Sequence, residues 1–135
     1  MAQIKQYFDI RFPFTTNNVE GFFIDLNETM SDKVLSEILH VVLTPKGSRL
    51  RMPDFGTDLT RYIFEMNDER EWPRVKGEIK DSVSKYVPRA IINDVRVLRG
   101  EDENGEIDDN TLLLDLDYSV KAGLTEENNR VVVKL

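Results

Sequence analysis

Three kinds of apolar spacing succeed one another along the chain. Val34, Leu35, Ile38, Val41 and Val42 recur every three or four positions and cover one side of a helix predicted over about Glu28 to Leu43. Trp72, Val75, Ile79, Val83 and Tyr86 repeat that period and predict a long helix running to about Tyr86. Pro88 stops it, because a proline disfavours helical geometry at the residue before it. Beyond that point the period falls to two. Ile91, Val95 and Val97 predict one face of a strand. Leu112, Leu114, Leu116, Tyr118 and Val120, alternating with Asp115, Asp117 and Ser119, predict a second strand whose other face stays wet. Val131 to Leu135 predicts a short third strand after a turn region from Gly123 to Asn129. Near the N-terminus, Ile10, Phe12 and Phe14 alternate with Arg11 and Pro13, and Phe22-Phe23-Ile24 follows a polar turn at Thr15 to Asn18. Extended segments are expected there, with Pro13 at an edge.

Between the two helical stripes lies the densest turn chemistry of the chain: Leu43-Thr44-Pro45-Lys46-Gly47-Ser48-Arg49, then Met52-Pro53-Asp54-Phe55-Gly56-Thr57-Asp58-Leu59. Proline fixes φ at two points, Gly47 and Gly56 admit backbone angles closed to other residues, and Thr57 or Asp58 can cap a short helix over about Thr57 to Phe64 carrying Leu59, Tyr62 and Ile63. Asn67-Asp68 reads as the cap of the long helix, and Pro73 is tolerable only in its first turn. On the outer side of that helix, Arg74/Glu78 and Asp81/Lys85 stand at i,i+4 spacing. The elements together predict an α+β fold, with an N-terminal extended segment and helices packed on a three-stranded antiparallel sheet, as one domain over residues 1–135.

Composition narrows the chemistry. With 135 residues and 40% of them apolar, one core of ordinary size can form. The chain has no cysteine, no apolar leader at Met1 to Gln6 and no window near the roughly 20 apolar residues of a membrane span, so it reads as soluble and unexported. A net charge of -7 argues against nucleic acid as a direct partner. The acidic run Glu101 to Asp109 reads as a solvated loop, since counting back from Gly105 puts Gly100, with no ligating side chain, at the first position of a calcium loop. His40, the one histidine, is expected opposite the apolar stripe among Lys33, Ser36 and Glu37, as a solvated or partner-facing residue. Trp72 reads as core, with an aromatic substrate platform as the sharper alternative. Glycoside hydrolysis needs only two carboxyl groups, but among 25 acidic residues no pair is marked by its surroundings. No nucleophile elbow, phosphate loop or dinucleotide motif is present. No catalytic residue, cofactor or metal ligand is assigned.

The order Leu-Thr-Pro-x-Gly-x-Arg over Leu43 to Arg49, then Pro53-Asp54-Phe55-Gly56, then Phe64-Glu65, then a long helix closing on Pro88-Arg89, resembles the baseplate wedge and sheath-initiator family of contractile phage tails. That family has also carried the label of a lysozyme-like tail protein. The resemblance runs from about Phe12 to the C-terminus. It implies a structural protein of the virion tail baseplate, made in the host cytoplasm and present in several copies, that joins the core bundle of the wedge to the first sheath ring and nucleates sheath assembly. The implied partners are baseplate wedge proteins and the tail sheath protein, with neither nucleic acid nor membrane. The implied partner-binding residues are Pro88 and Arg89, a fixed cationic projection, and Val131, Val132 and Val133, whose strand can take up a neighbour's segment by β-augmentation. An internal cap on the helix carbonyls is the alternative for Arg89, and an internally paired terminus the alternative for the strand. The family closes its long helix with Glu-Pro-Arg, whereas this chain has Val87-Pro88-Arg89. The missing acid leaves Arg89 less constrained, or another acid such as Glu65 takes its place in orienting Arg89. Type VI secretion and extracellular contractile injection baseplates use similar subunits, and an acidic tail lysozyme is the weakest alternative.

Overall fold

The structure, a computed structural model, describes residues 9–15, 24–65, 69–101, 107–122 and 125–135. Strands β1 (Asp9–Ile10) and β2 (Leu26–Asn27) form a small antiparallel pair ahead of helix α1 (Met30–Leu43). Helix α2 (Leu59–Glu65), a 3-10 turn (Glu69–Glu71) and helix α3 (Trp72–Tyr86) follow. The chain then forms an antiparallel meander of β3 (Ala90–Glu101), β4 (Ile107–Ala122) and β5 (Thr125–Lys134), in that order across the sheet. This is the α+β architecture that the change of period predicts.

Each helix starts and stops for a local reason. Thr29, in extended geometry, caps α1 by accepting the Asp32 N–H at 3.1 Å, which sets the start at Met30. Pro45 forces Thr44 into the extended region and ends it. Pro73 falls in the first turn of α3, and the Val87 N–H closes the last turn on the Val83 carbonyl at 2.7 Å before Pro88. Val34, Ile38, Val41 and Val42 of α1 and Val75, Ile79 and Val83 of α3 are buried in one core with Ile92 and Val95 of β3 and Leu114, Leu116, Tyr118 and Val120 of β4, α3 lying over β3. Burial of each such side chain stabilises by about 1.5–3 kcal/mol.

Several expectations are corrected. In β3 the inward residues are Ala90, Ile92 and Val95, not Ile91, because Asn93 is an extra residue that shifts the register between Ile92 and Asp94. One bulge moves every side chain before it to the other face. Strand β5 begins at Thr125, inside the segment expected to turn, and β4 begins at Ile107, so the acidic run enters both arms of the β3–β4 hairpin. Its residues 102–106 lie outside the described residues, as do Phe22-Phe23 and the Asn67-Asp68 cap. The pair Arg74/Glu78 does not form: Arg74 lies 3.6 Å from Glu71, while Glu78 takes Lys46 at 2.6 Å. Lys85, expected to pair with Asp81, sits 5.0 Å from the Tyr86 ring centroid. Trp72 is half-buried and lines a cavity of only about 20 Å³, room for about one water and not for a substrate ring.

Candidate functional site

Pro88 and Arg89 are the two central residues of a tight turn closed by the Ala90 N–H on the Val87 carbonyl at 2.9 Å. Both are exposed, and the Arg89 carbonyl is tied to the sheet by the Lys121 N–H at 2.9 Å. The Arg89 guanidinium does not reach back to the α3 carbonyls. Its Nη1 lies 3.2 Å from the sulfur of Met30 in α1. A thioether is a weak acceptor, so a fork with five N–H donors keeps most of its capacity for a carboxylate. Met30, Lys33, Val34, Glu37, Tyr86, Pro88 and Arg89 line a groove of about 300 Å³. Val87, at the position of the family's glutamate, is 1% exposed and belongs to the core, which leaves no side chain there to orient Arg89. The side chain of Glu65 lies outside the described residues.

The three valines of the terminal strand divide into two roles. Leu112 and Leu135 exchange both backbone hydrogen bonds, at 3.2 and 2.8 Å. In an antiparallel ladder such pairs recur at every second residue, so Val133 and Val131 direct their N–H and C=O groups to Leu114 and Leu116 of β4. Their side chains pack on the core. The backbone groups of Arg130, Val132 and Lys134 therefore point away from β4, at an edge that no strand pairs among the described residues, and the Val132 side chain is 53% exposed.

The outer face of β4 is not simply wet. Asp115 is 2% exposed and accepts a bidentate pair from Arg130, at 2.8 Å from Nε and 2.6 Å from Nη2. These hydrogen bonds, opposed by desolvation and aided by the charges of Arg130 and Arg96, hold its carboxyl below the usual carboxylate range. Arg96 bridges Asp94 at 2.9 Å and Asp117 at 2.8 Å. Ser119 links Asn93 and Asn128 at 2.7 and 2.8 Å. The alternation of β4 showed the acids but not the arginines that neighbouring strands would set over them.

His40 is half-buried and engaged by its neighbours. Its ring stacks on Phe12 at 4.9 Å and meets the Phe55 edge at 5.7 Å. Arg49 Nη2 lies 2.8 Å from His40 Nε2, and its guanidinium covers the Phe55 ring at 3.8 Å. Arginine only donates, so the imidazole accepts in its neutral form. Burial first, and the Arg49 charge second, push its pKa below the ordinary 6.5. This cluster belongs to the loop joining α1 to α2. There Thr57 N–H bonds to Thr44 O at 2.9 Å, Lys46 N–H to Thr57 O at 3.2 Å, and Thr57 Oγ1 to Val42 O at 2.7 Å. Among the described residues no group of three or more acidic or histidine side chains is placed to hold a metal, and no helix is long and apolar enough to cross a membrane.

The profile of the family described as baseplate wedge protein gp25 matches residues 28–124, from just before the α1 cap to the residue before β5. The chain belongs to this family. The motifs from Leu43 to Arg89 fall within the matched span, and β5 lies beyond it. The baseplate wedge protein gp25 of Enterobacteria phage T4 is 31% identical over 87 residues, which cover 64% of this chain and 61% of that relative. The match thus spans about three fifths of the relative's length. Two solved structures share the fold. A Geobacter sulfurreducens protein described as a candidate tail lysozyme, in a 1.44 Å crystal structure, superposes with a TM-score of 0.60 at 22% identity, over 79% of this chain and 92% of that one. A chain of the six-fold symmetrised anti-feeding prophage baseplate, seen by cryo-electron microscopy, gives 0.56 at 16% identity over 91% and 81%.

Proposed function

We propose that this gp25-family chain is a structural subunit of a contractile tail baseplate, located in the virion tail in several copies and acting as one domain without catalysis. It joins the wedge core, through Pro88 and Arg89, to the first ring of sheath subunits, and it nucleates sheath assembly through β5. The observation that carries this reading is the open β5 edge, where the backbone groups of Arg130, Val132 and Lys134 are turned outward. An extended segment laid along it gains main-chain hydrogen bonds at about 0.5–1.5 kcal/mol each without repacking the core. The net charge of -7 accords with protein partners and with neither nucleic acid nor membrane. Among the described residues a lysozyme reading finds no suitable acid in Asp115, the most enclosed carboxyl, which is ion-paired and held below the usual carboxylate range, the reverse of what protonating a leaving group requires.

A proline at residue 132 removes a donor at the open edge, whereas one at 131 removes a donor to β4. Val132→Pro is expected to fold nearly as well as the parent and to fail in nucleating sheath, scored by imaging tails. Normal sheath on Val132→Pro tails moves the templating role to another strand. An extracellular injection baseplate is the second reading, favoured by the fold shared with the anti-feeding prophage chain. The genes beside this one separate the two. Incubated with peptidoglycan, the purified protein is expected to give no turnover above background.

A further inference from the structure

The loop between α1 and α2 carries at its apex the one apolar side chain, among the described residues, that is completely uncovered. Leu50 retains its full exposure, and Met52 is 43% exposed. A single exposed leucine means little by itself. This one is held out by a stiff support. Met52 N–H bonds to Arg49 O at 3.3 Å, Gly47 N–H to Pro53 O at 2.8 Å and Phe55 N–H to Met52 O at 3.0 Å. Arg49, immediately before the apex, is fastened to His40 and Phe55, and Lys46 to Glu78. The entropy of ordering the apex is therefore spent in folding, and an incoming surface need not supply it.

Charge indicates what the apex meets. Residues 45–53 hold Lys46, Arg49 and Arg51 and no acid, with Asp54 and Asp58 following toward α2, on a chain of net charge -7. Lys46 and Arg49 are engaged internally, while Arg51 is exposed and pairs with no side chain among the described residues. We propose that residues 50–52 are a preformed docking knob for another baseplate protein: Leu50 enters an apolar socket, and Arg51 pairs with a carboxylate on the socket's rim. The proposal rests on the baseplate reading above but concerns neither the β5 edge nor Arg89. Leu50 and Met52 alone are too small an apolar anchor for a membrane. Two copies of a chain this acidic repel one another, which disfavours self-association.

The test uses full-length protein in assembling tails. Leu50→Ser and Arg51→Glu are each expected to lower incorporation about tenfold in competition with the parent, with melting temperatures unchanged because neither side chain is packed. With p-benzoylphenylalanine in place of Leu50, irradiation of assembled tails is expected to join the chain to a different protein, at a peptide holding both apolar and acidic residues. Undiminished incorporation of Leu50→Ser overturns the knob and leaves the baseplate reading standing. Failure of the parent itself to incorporate overturns both. A lowered melting temperature, a cross-link to a second copy, or binding to phosphatidylglycerol vesicles that is lost in Leu50→Ser also overturns the proposal.

Discussion

Between Thr44 and Thr57 the backbone is bound back onto itself: Thr57 bridges Pro45 by donating to the Thr44 carbonyl and accepting from the Lys46 N–H, and a side-chain cage of His40, Arg49 and Phe55 closes the outer side. Along β5 the arrangement is the reverse, for every second residue turns its backbone groups away from the molecule. The first region joins α1 to α2 through a backbone closed on itself and offers only side chains, Leu50 and Arg51, to the outside. The second keeps its valence in reserve, and strand edges left in this way are sites where another chain can add. Backbone hydrogen-bonding capacity is thus closed within the loop and left over along β5.

The largest effect is expected at Gly56. Its φ is +103°, and an added Cβ would stand 2.0 Å from the Thr44 carbonyl oxygen. Gly56→Ala is therefore both conformationally strained and overpacked, and it is expected to cost about 3 kcal/mol or more in urea unfolding. A loss under about 1 kcal/mol would show that the joint yields.

Asp115 comes next, because its ion pair ties β5 to β4 beside the open edge. Asp115→Asn is expected to cost about 1.5–3 kcal/mol. The carboxyl is depressed in the folded state, so its contribution is fully present above the unfolded value of about 3.9 and is lost as pH falls through the folded value. Unfolding measured from pH 2 to 7 should show the parent declining below about pH 4 more steeply than the variant.

His40 gives a smaller signal of the opposite origin, within the joint. Its folded pKa lies below the unfolded value, so the unfolded chain binds the proton more readily and stability falls as pH drops below about 6.5. His40→Gln should flatten the melting temperature between pH 5 and 7. A slope unchanged by this substitution would mean that the Arg49 contact does not hold the imidazole neutral.

At Arg89 the expected effect on the fold is smallest, within about 0.5 kcal/mol for Arg89→Ala, since the residue is exposed and its guanidinium hydrogen bond goes to a weak acceptor, the Met30 sulfur. Co-purification with wedge subunits should nevertheless fall. A large drop in melting temperature would return Arg89 to the joint's class of internal fastening and remove it from the recognition surface.

What the sequence by itself determined is the local grammar: two amphipathic helices, the proline stop before Arg89, the glycines at 47 and 56 that adopt positive φ, the three strands in order, and the family motif. These follow from periodicity and turn chemistry, which act over a few residues. Register and partnership were decided only by the tertiary structure. The Asn93 bulge that moved Ile91 off the inner face, the ladder phase that turned Val132 outward and Val131 inward, the burial of Asp115 beneath Arg130, and the cage around His40 each depend on residues brought from another part of the chain. A one-residue shift of pairing leaves the hydrophobic pattern almost unchanged while exchanging the faces of a strand, so only the folded molecule could choose between them.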